Sequence, residues 1–136
     1  MENEIVLNET EQNITKANAN SMSFEQRKQA LNAITNFESI WDLLKENANI
    51  SIEVINVLLI PVKQEDKRTG EVRDTTRCIF VTPNGKSYAT SSASVIANVQ
   101  VMLTVLGEPN LWESPVTCVF TKGESKQGNP FINISF

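Results

Sequence analysis

The apolar residues of this chain recur with two different spacings, which predict two helices and five strands. Spacings of three and four predict one helix over 24–46, where Ser23 and Gln26 are spaced as in a capping box, and another over 95–106, between Ser92 and Gly107. Alternating or β-branched runs predict strands at 50–62, 72–80, 86–89, 115–121 and 131–136. The second half of 50–62 is apolar on both faces, as in a strand bent between two layers.

A hairpin is predicted over 71–90, because Pro83-Asn84-Gly85 supplies a fixed φ and two residues that tolerate positive φ. Arg73 and Arg77 lie on one face of its first strand, and Lys86 and Tyr88 share a face of the returning strand. One side of the ribbon is therefore predicted to present cations and a ring, which suits phosphates and stacked bases. The alternative is that these charged side chains only solvate an ordinary hairpin.

The order of the predicted elements indicates a fold class. After the first helix the order is strand, strand, strand, helix, strand, strand, which is that of the OB-fold, a five-stranded Greek-key barrel. We therefore predict a mainly β chain with one OB-fold domain over 22–136, including the N-terminal helix. Such barrels bind oligonucleotides or oligosaccharides between the loops that join strands one to two and four to five. Here these loops are 63–70 (KQEDKRTG) and 122–130 (KGESKQGNP), and both carry bases.

The first 21 residues hold too few large apolar side chains to bury a core, and they are interpreted as a flexible arm. Ile5, Val6 and Leu7 could add a short strand to a neighbouring subunit and so form a homo-oligomer. A frayed terminus is the alternative. The acidic N-terminus is unlike a signal peptide and no apolar run approaches a membrane span, so we expect a cytoplasmic protein with no membrane partner.

The net charge of −4 is unevenly distributed along the chain. Residues 1–49 hold eight acids and four bases, whereas residues 50–136 hold eight of each. Five of the latter eight bases lie between Lys63 and Arg77. Because local patches decide where a polyanion binds, the acidic total does not exclude a nucleic-acid partner.

The available chemistry argues against an enzyme. The chain has no histidine, which excludes a Ser-His-Asp triad, a Cys-His pair and the usual histidine-bearing zinc sites. Cys78 and Cys118 lie in strand-like runs and are expected to be buried free thiols. We expect no catalytic residue, no metal and no cofactor. A nuclease is disfavoured because the acids near the hairpin alternate with bases, as in surface ion pairs: Glu65, Asp66, Glu71 and Asp74.

Short strings between residues 58 and 112 also carry a family resemblance. They are Pro61-Val62, Thr69-Gly70-Glu71, Arg77, Asn84-Gly85-Lys86, Tyr88, Thr90, Gly107-Glu108-Pro109 and Trp112. In order and spacing they resemble the small single-stranded DNA-binding proteins of phages and conjugative plasmids of Gram-positive bacteria, including the PrgE-like proteins of conjugation operons. The resemblance implies an OB-fold that binds single strands with little sequence preference, and it implies contacts by Arg77, Lys86 and Tyr88.

The leading hypothesis is non-catalytic binding of single-stranded DNA, in phage replication or plasmid transfer. Eight bases are candidates for phosphate contacts: Lys63, Lys67, Arg68, Arg73, Arg77, Lys86, Lys122 and Lys126. Tyr88 is the main stacking candidate, and Trp112 is either a weaker one or a plug in the core. Duplex DNA and RNA stay open as partners, because stacking and phosphate contacts do not read the sugar. The alternative function is that of a protein-interaction or structural module that does not bind nucleic acid.

Overall fold

A computed structural model describes residues 23–66 and 68–136, which form seven strands in two sheets, three α-helices and one short 3-10 helix. The elements are, in chain order, α1 (Phe24–Thr35), β1 (Glu38–Ser39), α2 (Ile40–Glu46), β2 (Asn49–Val54), β3 (Asn56–Glu65), β4 (Val72–Val81), β5 (Ser87–Thr90), α3 (Ala93–Leu106), the 3-10 helix (Pro109–Leu111), β6 (Val116–Glu124) and β7 (Pro130–Ser135). The predicted arm, with its Ile5, Val6 and Leu7, and the predicted phosphate contact Lys67 lie outside the described residues.

The two sheets share one bent stretch of chain. The first sheet has the order β1-β5-β4-β3 and the second has the order β2-β6-β7. β2 and β3 are the two halves of the strand predicted at 50–62, and they are separated by a bend at Ile55, whose N–H donates to the carbonyl of Val81. The prediction of a strand bent between two layers is therefore confirmed.

The arrangement is OB-like in its element order but departs from the predicted five-stranded barrel. To close the barrel, β5 would have to pair with β7. Within the described residues β5 instead pairs in parallel with β1, where Glu38 lies opposite Tyr88 and Ser39 opposite Ala89. The start of α3 contacts β7 instead, where the Ser94 hydroxyl donates to the Ile132 carbonyl at 2.9 Å. The fold is thus β-rich with an open seam at this side.

The single helix predicted over 24–46 is wrong, since the structure divides it into α1 and α2. Thr35 turns its hydroxyl back onto the carbonyls of Leu31 and Asn32, and Asn36 takes an extended conformation that ends α1. Ser39 then caps α2 by accepting the N–H of Asp42. The separation is stabilised by the pairing of β1 with β5, which the helical spacing of apolar residues could not reveal. The capping box predicted at Ser23 is present.

Apolar clusters pack against both faces of the four-stranded sheet. The inner core lies between the two sheets and includes Phe80 and Phe120, whose ring centroids are 5.1 Å apart in an edge-to-face arrangement. On the other face, Ala33 and Ile34 of α1 pack against Ile79 and its neighbours. In the described part of the chain, no helix is long and apolar enough to cross a membrane.

The two cysteines are buried free thiols, as predicted. Burial raises the pKa of Cys78 and Cys118, the latter to about 12, so both thiols stay protonated near neutral pH.

Candidate nucleic-acid interface

The outer halves of β3 and β4 form an exposed ribbon that extends beyond both cores. β3 pairs with β4 from Asn56↔Val81 to Glu65↔Val72, so residues 63–65 belong to a strand and not to the loop predicted at 63–70. The turn is closed by the Asp66 N–H, which donates to the Glu71 carbonyl, and by Gly70, which has φ 73. Most side chains from 61 to 74 are exposed, so the bases of this ribbon are in contact with solvent.

The ribbon divides its bases between two faces. Arg73 and Arg77 lie on the face toward α1, whereas Lys63 lies opposite Asp74 on the other face. The guanidinium of Arg77 stands 4.9 Å from the ring centroid of Phe37. Its partial burial lowers the pKa of Arg77, although an arginine keeps its charge at neutral pH. This cation–π contact holds the Arg77 side chain beside the Phe37 ring.

The prediction that one side of the hairpin gathers both the cations and the aromatic ring is wrong in its geometry. Directly paired residues share a face, and Ile79 pairs with Ala89 while Phe80 pairs with Tyr88. Arg77 shares the side of Ile79, so Arg77 and Tyr88 lie on opposite faces of the sheet. The register between β4 and β5 is set by the five-residue connection 82–86. The alternation of residues along the two strands does not determine the length of this connection. Tyr88 is half-buried against the inner core.

Lys86 lies in the turn before β5 and is exposed. Its backbone N–H donates to the side-chain oxygen of Asn84, and Gly85 has φ 85, so the predicted turn forms with glycine alone in the positive-φ region. Lys86 therefore belongs to the turn between β4 and β5, and the alternation of side chains along these strands does not assign it to a face of the sheet.

The seven described bases that were predicted to contact phosphates have no acidic partner in the part of the chain that the structure describes. The ion pairs there are Lys28–Glu25 and Lys45–Asp42, both within helices. The unpaired bases are Lys63, Arg68, Arg73, Arg77, Lys86, Lys122 and Lys126. The surface ion pairs expected for the hairpin acids are therefore absent between residues 23–66 and 68–136, and these cations are available to an anionic ligand.

Trp112 occupies the position expected of a core plug. It is half-buried, packs against the inner core and donates its indole N–H to the carbonyl of Gly107 at 3.0 Å. A buried indole usually finds such a partner, so this arrangement satisfies its polar group without a ligand.

A groove at the open seam was not identified from the sequence, and we call it the seam groove. It has a volume of about 510 Å³ and is lined by Trp41, Thr90, Ser91, Ser92, Ala93, Ser94, Pro130, Phe131 and Ile132. The ammonium of Lys122 stands 5.7 Å from the centroid of the Trp41 ring. The single helix predicted over 24–46 included Trp41 and gave no reason to place it in a groove. The signal that could have found it is Ser39, which caps a new helix and places Trp41 in its first turn.

Acidic and sulfur side chains do not converge on a metal site. No group of three or more histidine, cysteine, aspartate or glutamate residues that could hold a metal ion occurs among the described residues.

Comparison with known proteins adds one finding. A family model described as phage single-stranded DNA-binding protein, of the phi29 type, matches residues 9–136. No curated protein and no solved structure matches the chain.

Proposed function

Because this chain belongs to the family of phage single-stranded DNA-binding proteins, we propose that it binds single-stranded DNA without catalysis and with little sequence preference. The observation that carries the proposal is the family match, which extends over residues 9–136 and so includes every element of the fold. The match favours a phage setting, and we propose a role in phage DNA replication in preference to plasmid transfer.

The described bases supply the phosphate contacts in this proposal. Lys63, Arg68 and Arg73 of the ribbon are exposed and have no acidic partner among the described residues, so a phosphate need not displace an ion pair seen there. Because these bases lie on both faces of the ribbon, they suit a DNA strand that passes around the ribbon better than one that contacts a single face. The remaining bases extend this path: Lys86 beside β5, Lys122 near the end of β6 and Lys126 in the turn before β7.

Little sequence preference is the expected consequence of this composition. Phosphate contacts carry no sequence information, and stacking accepts any base because every base has a π-face. A stacked base contributes on the order of 1–3 kcal/mol, so a few stacks and phosphate contacts give modest affinity per subunit. Tyr88, which is half-buried, would be one such stacking ring in this proposal.

The experiment is a titration of fluorescently labelled single-stranded oligonucleotides at several salt concentrations. Each phosphate neutralised by a base adds about −0.7 to the slope of log K against log salt concentration. We expect a clearly negative slope for the wild type and a shallower one for Arg73→Gln. A protein-interaction module would show neither the affinity nor the slope, and that result would reject the proposal.

We also propose that the arm links subunits into a head-to-tail array, which would compensate for modest affinity per subunit. Ile5, Val6 and Leu7 would supply the apolar contact to the neighbouring subunit. Deleting residues 1–21 should lower cooperativity on long strands and leave the affinity for short oligonucleotides nearly unchanged. Equal loss on long and short strands would reject the linking role.

A further inference from the structure

We infer that the seam groove is a base-stacking subsite, in which a nucleobase stacks on Trp41 and Lys122 contacts the adjoining phosphate. This inference rests on the proposed single-stranded DNA binding and assigns it a location that the sequence did not indicate. The subsite lies on the side of β5 that carries Tyr88 and Thr90, away from the face that carries Arg77.

The size and lining of the seam groove fit a flat, uncharged ring. Its volume of about 510 Å³ lies within the range of small-molecule pockets, about 300–1,000 Å³. None of its lining residues is charged, so an acidic side chain does not line the path of a nucleotide. The rings of Trp41 and Phe131 and the aliphatic side chains provide stacking and apolar contact, and the Lys122 ammonium stands 5.7 Å from the Trp41 ring centroid.

The hydroxyls of the groove favour a ligand with mixed hydrogen-bonding edges. The Ser92 and Ser94 hydroxyls lie 3.0 Å apart, and Ser94 also donates to the Ile132 carbonyl. A hydroxyl both donates and accepts, so this lining can meet the edge of any of the four bases. The site therefore suits binding without base selection.

The Lys122 ammonium makes a cation–π contact with the Trp41 ring, and a nucleobase stacked on Trp41 would replace that contact. An exposed lysine over an aromatic ring is held less strongly than a base stacked on such a ring. An incoming base would thus displace the ammonium from Trp41. Since Lys122 has no acidic partner among the described residues, its charge would then be left beside the phosphate of the same nucleotide.

The first measurement uses the emission of Trp41 itself. The chain has two tryptophans, so Trp112→Phe leaves Trp41 as the sole source of tryptophan emission. Titration of this variant with an oligothymidylate should quench most of that emission, and the midpoint should coincide with binding of a labelled oligothymidylate followed by anisotropy. Stacking brings the base into contact with the indole, whereas a phosphate contact elsewhere would leave the emission unchanged.

The second measurement uses substitutions with a matched control. Trp41→Leu keeps an apolar side chain and should weaken binding at least about fivefold, as expected for loss of one stacked base. Lys122→Gln should weaken binding and reduce the salt slope by about 0.7. The control is Lys28→Gln, because the Lys28 ammonium also lies over a ring, 5.6 Å from the centroid of Phe24, but on α1 and outside the groove.

Two outcomes overturn the inference and they differ from each other. If anisotropy reports binding while Trp41 emission stays constant and both groove variants bind like Lys28→Gln, the subsite is wrong and single-stranded DNA binding stands. If the wild type binds no oligonucleotide at all, the proposed function fails and the subsite fails with it. Should Trp41→Leu unfold, Lys122→Gln and the emission titration still decide the question.

Discussion

Replacing Gly123 with alanine should destabilise the β6–β7 pair through a clash with one aromatic ring. Gly123 lies directly opposite Phe131, and an added Cβ would stand 2.6 Å from Cε2 and 2.9 Å from Cε1 of that ring. The φ of Gly123 is not in the positive region, so alanine meets no backbone strain there. The ring is 38% exposed and can swing outward, but it then loses its packing on the strand.

The expected magnitude comes from two opposing effects. Inserting a methyl group into a filled contact costs about 1–3 kcal/mol, while replacing glycine by alanine stabilises by about 0.4–1 kcal/mol through the unfolded chain. The net effect should be a loss of about 1 kcal/mol in the free energy of unfolding. Urea denaturation followed by circular dichroism measures it.

A double-mutant cycle with Phe131→Ala isolates the clash. Once the ring is absent, Gly123→Ala should become neutral or stabilising, which gives a coupling energy of about 1–3 kcal/mol between the two positions. The reasoning would be refuted if Gly123→Ala had the same effect with and without the Phe131 ring.

Three further expectations concern other parts of the molecule. Ser23→Ala removes the cap of α1 and should cost about 1 kcal/mol in urea denaturation, and no loss would contradict the observed capping box. The raised pKa values of Cys78 and Cys118 keep the folded thiols protonated, so stability should be fully retained below about pH 9 and should fall as pH rises toward 12; a double alanine variant should lose this part of the pH dependence, and an unchanged profile would contradict it. Arg73→Gln should reduce the salt slope of oligonucleotide binding by about 0.7, whereas Arg27→Gln on α1 should leave it unchanged. Equal slopes for the two variants would exclude a phosphate contact by Arg73.

Elements with strong local signals were predictable from the sequence. The capping box at Ser23, the hairpin around Gly85 and the helix that ends at Gly107 all form where the residues indicated. A bent strand within 50–62 was also indicated, because a run that is apolar on both faces suits a strand shared by two sheets. Each of these features depends on neighbouring residues along the chain.

Features that depend on contacts distant in sequence were not predictable. The break between α1 and α2 depends on pairing with β5, about 50 residues later, and the open seam depends on where α3 lies. The side of the sheet on which Tyr88 lies depends on register with β4. An error of one position in that register moves a side chain to the other face, which is why the predicted single face became two.

The seam groove also depends on residues that are distant in sequence, so it could not be predicted. Trp41 and Lys122 are 81 positions apart in the chain, and no local motif connects them. The bases of the ribbon, by contrast, are close in sequence and were identified from their clustering. The sequence showed that these bases cluster, but it did not show that they are divided between two faces of the sheet.

The most direct test of single-stranded DNA binding compares the affinities of this chain for single-stranded and duplex oligonucleotides of matched sequence and length, at one fixed salt concentration. Stacking requires unpaired bases, so the single strand should bind more tightly, and Trp41→Leu should weaken single-strand binding more than duplex binding. Equal affinity for both forms, or tighter binding of the duplex, would contradict the account.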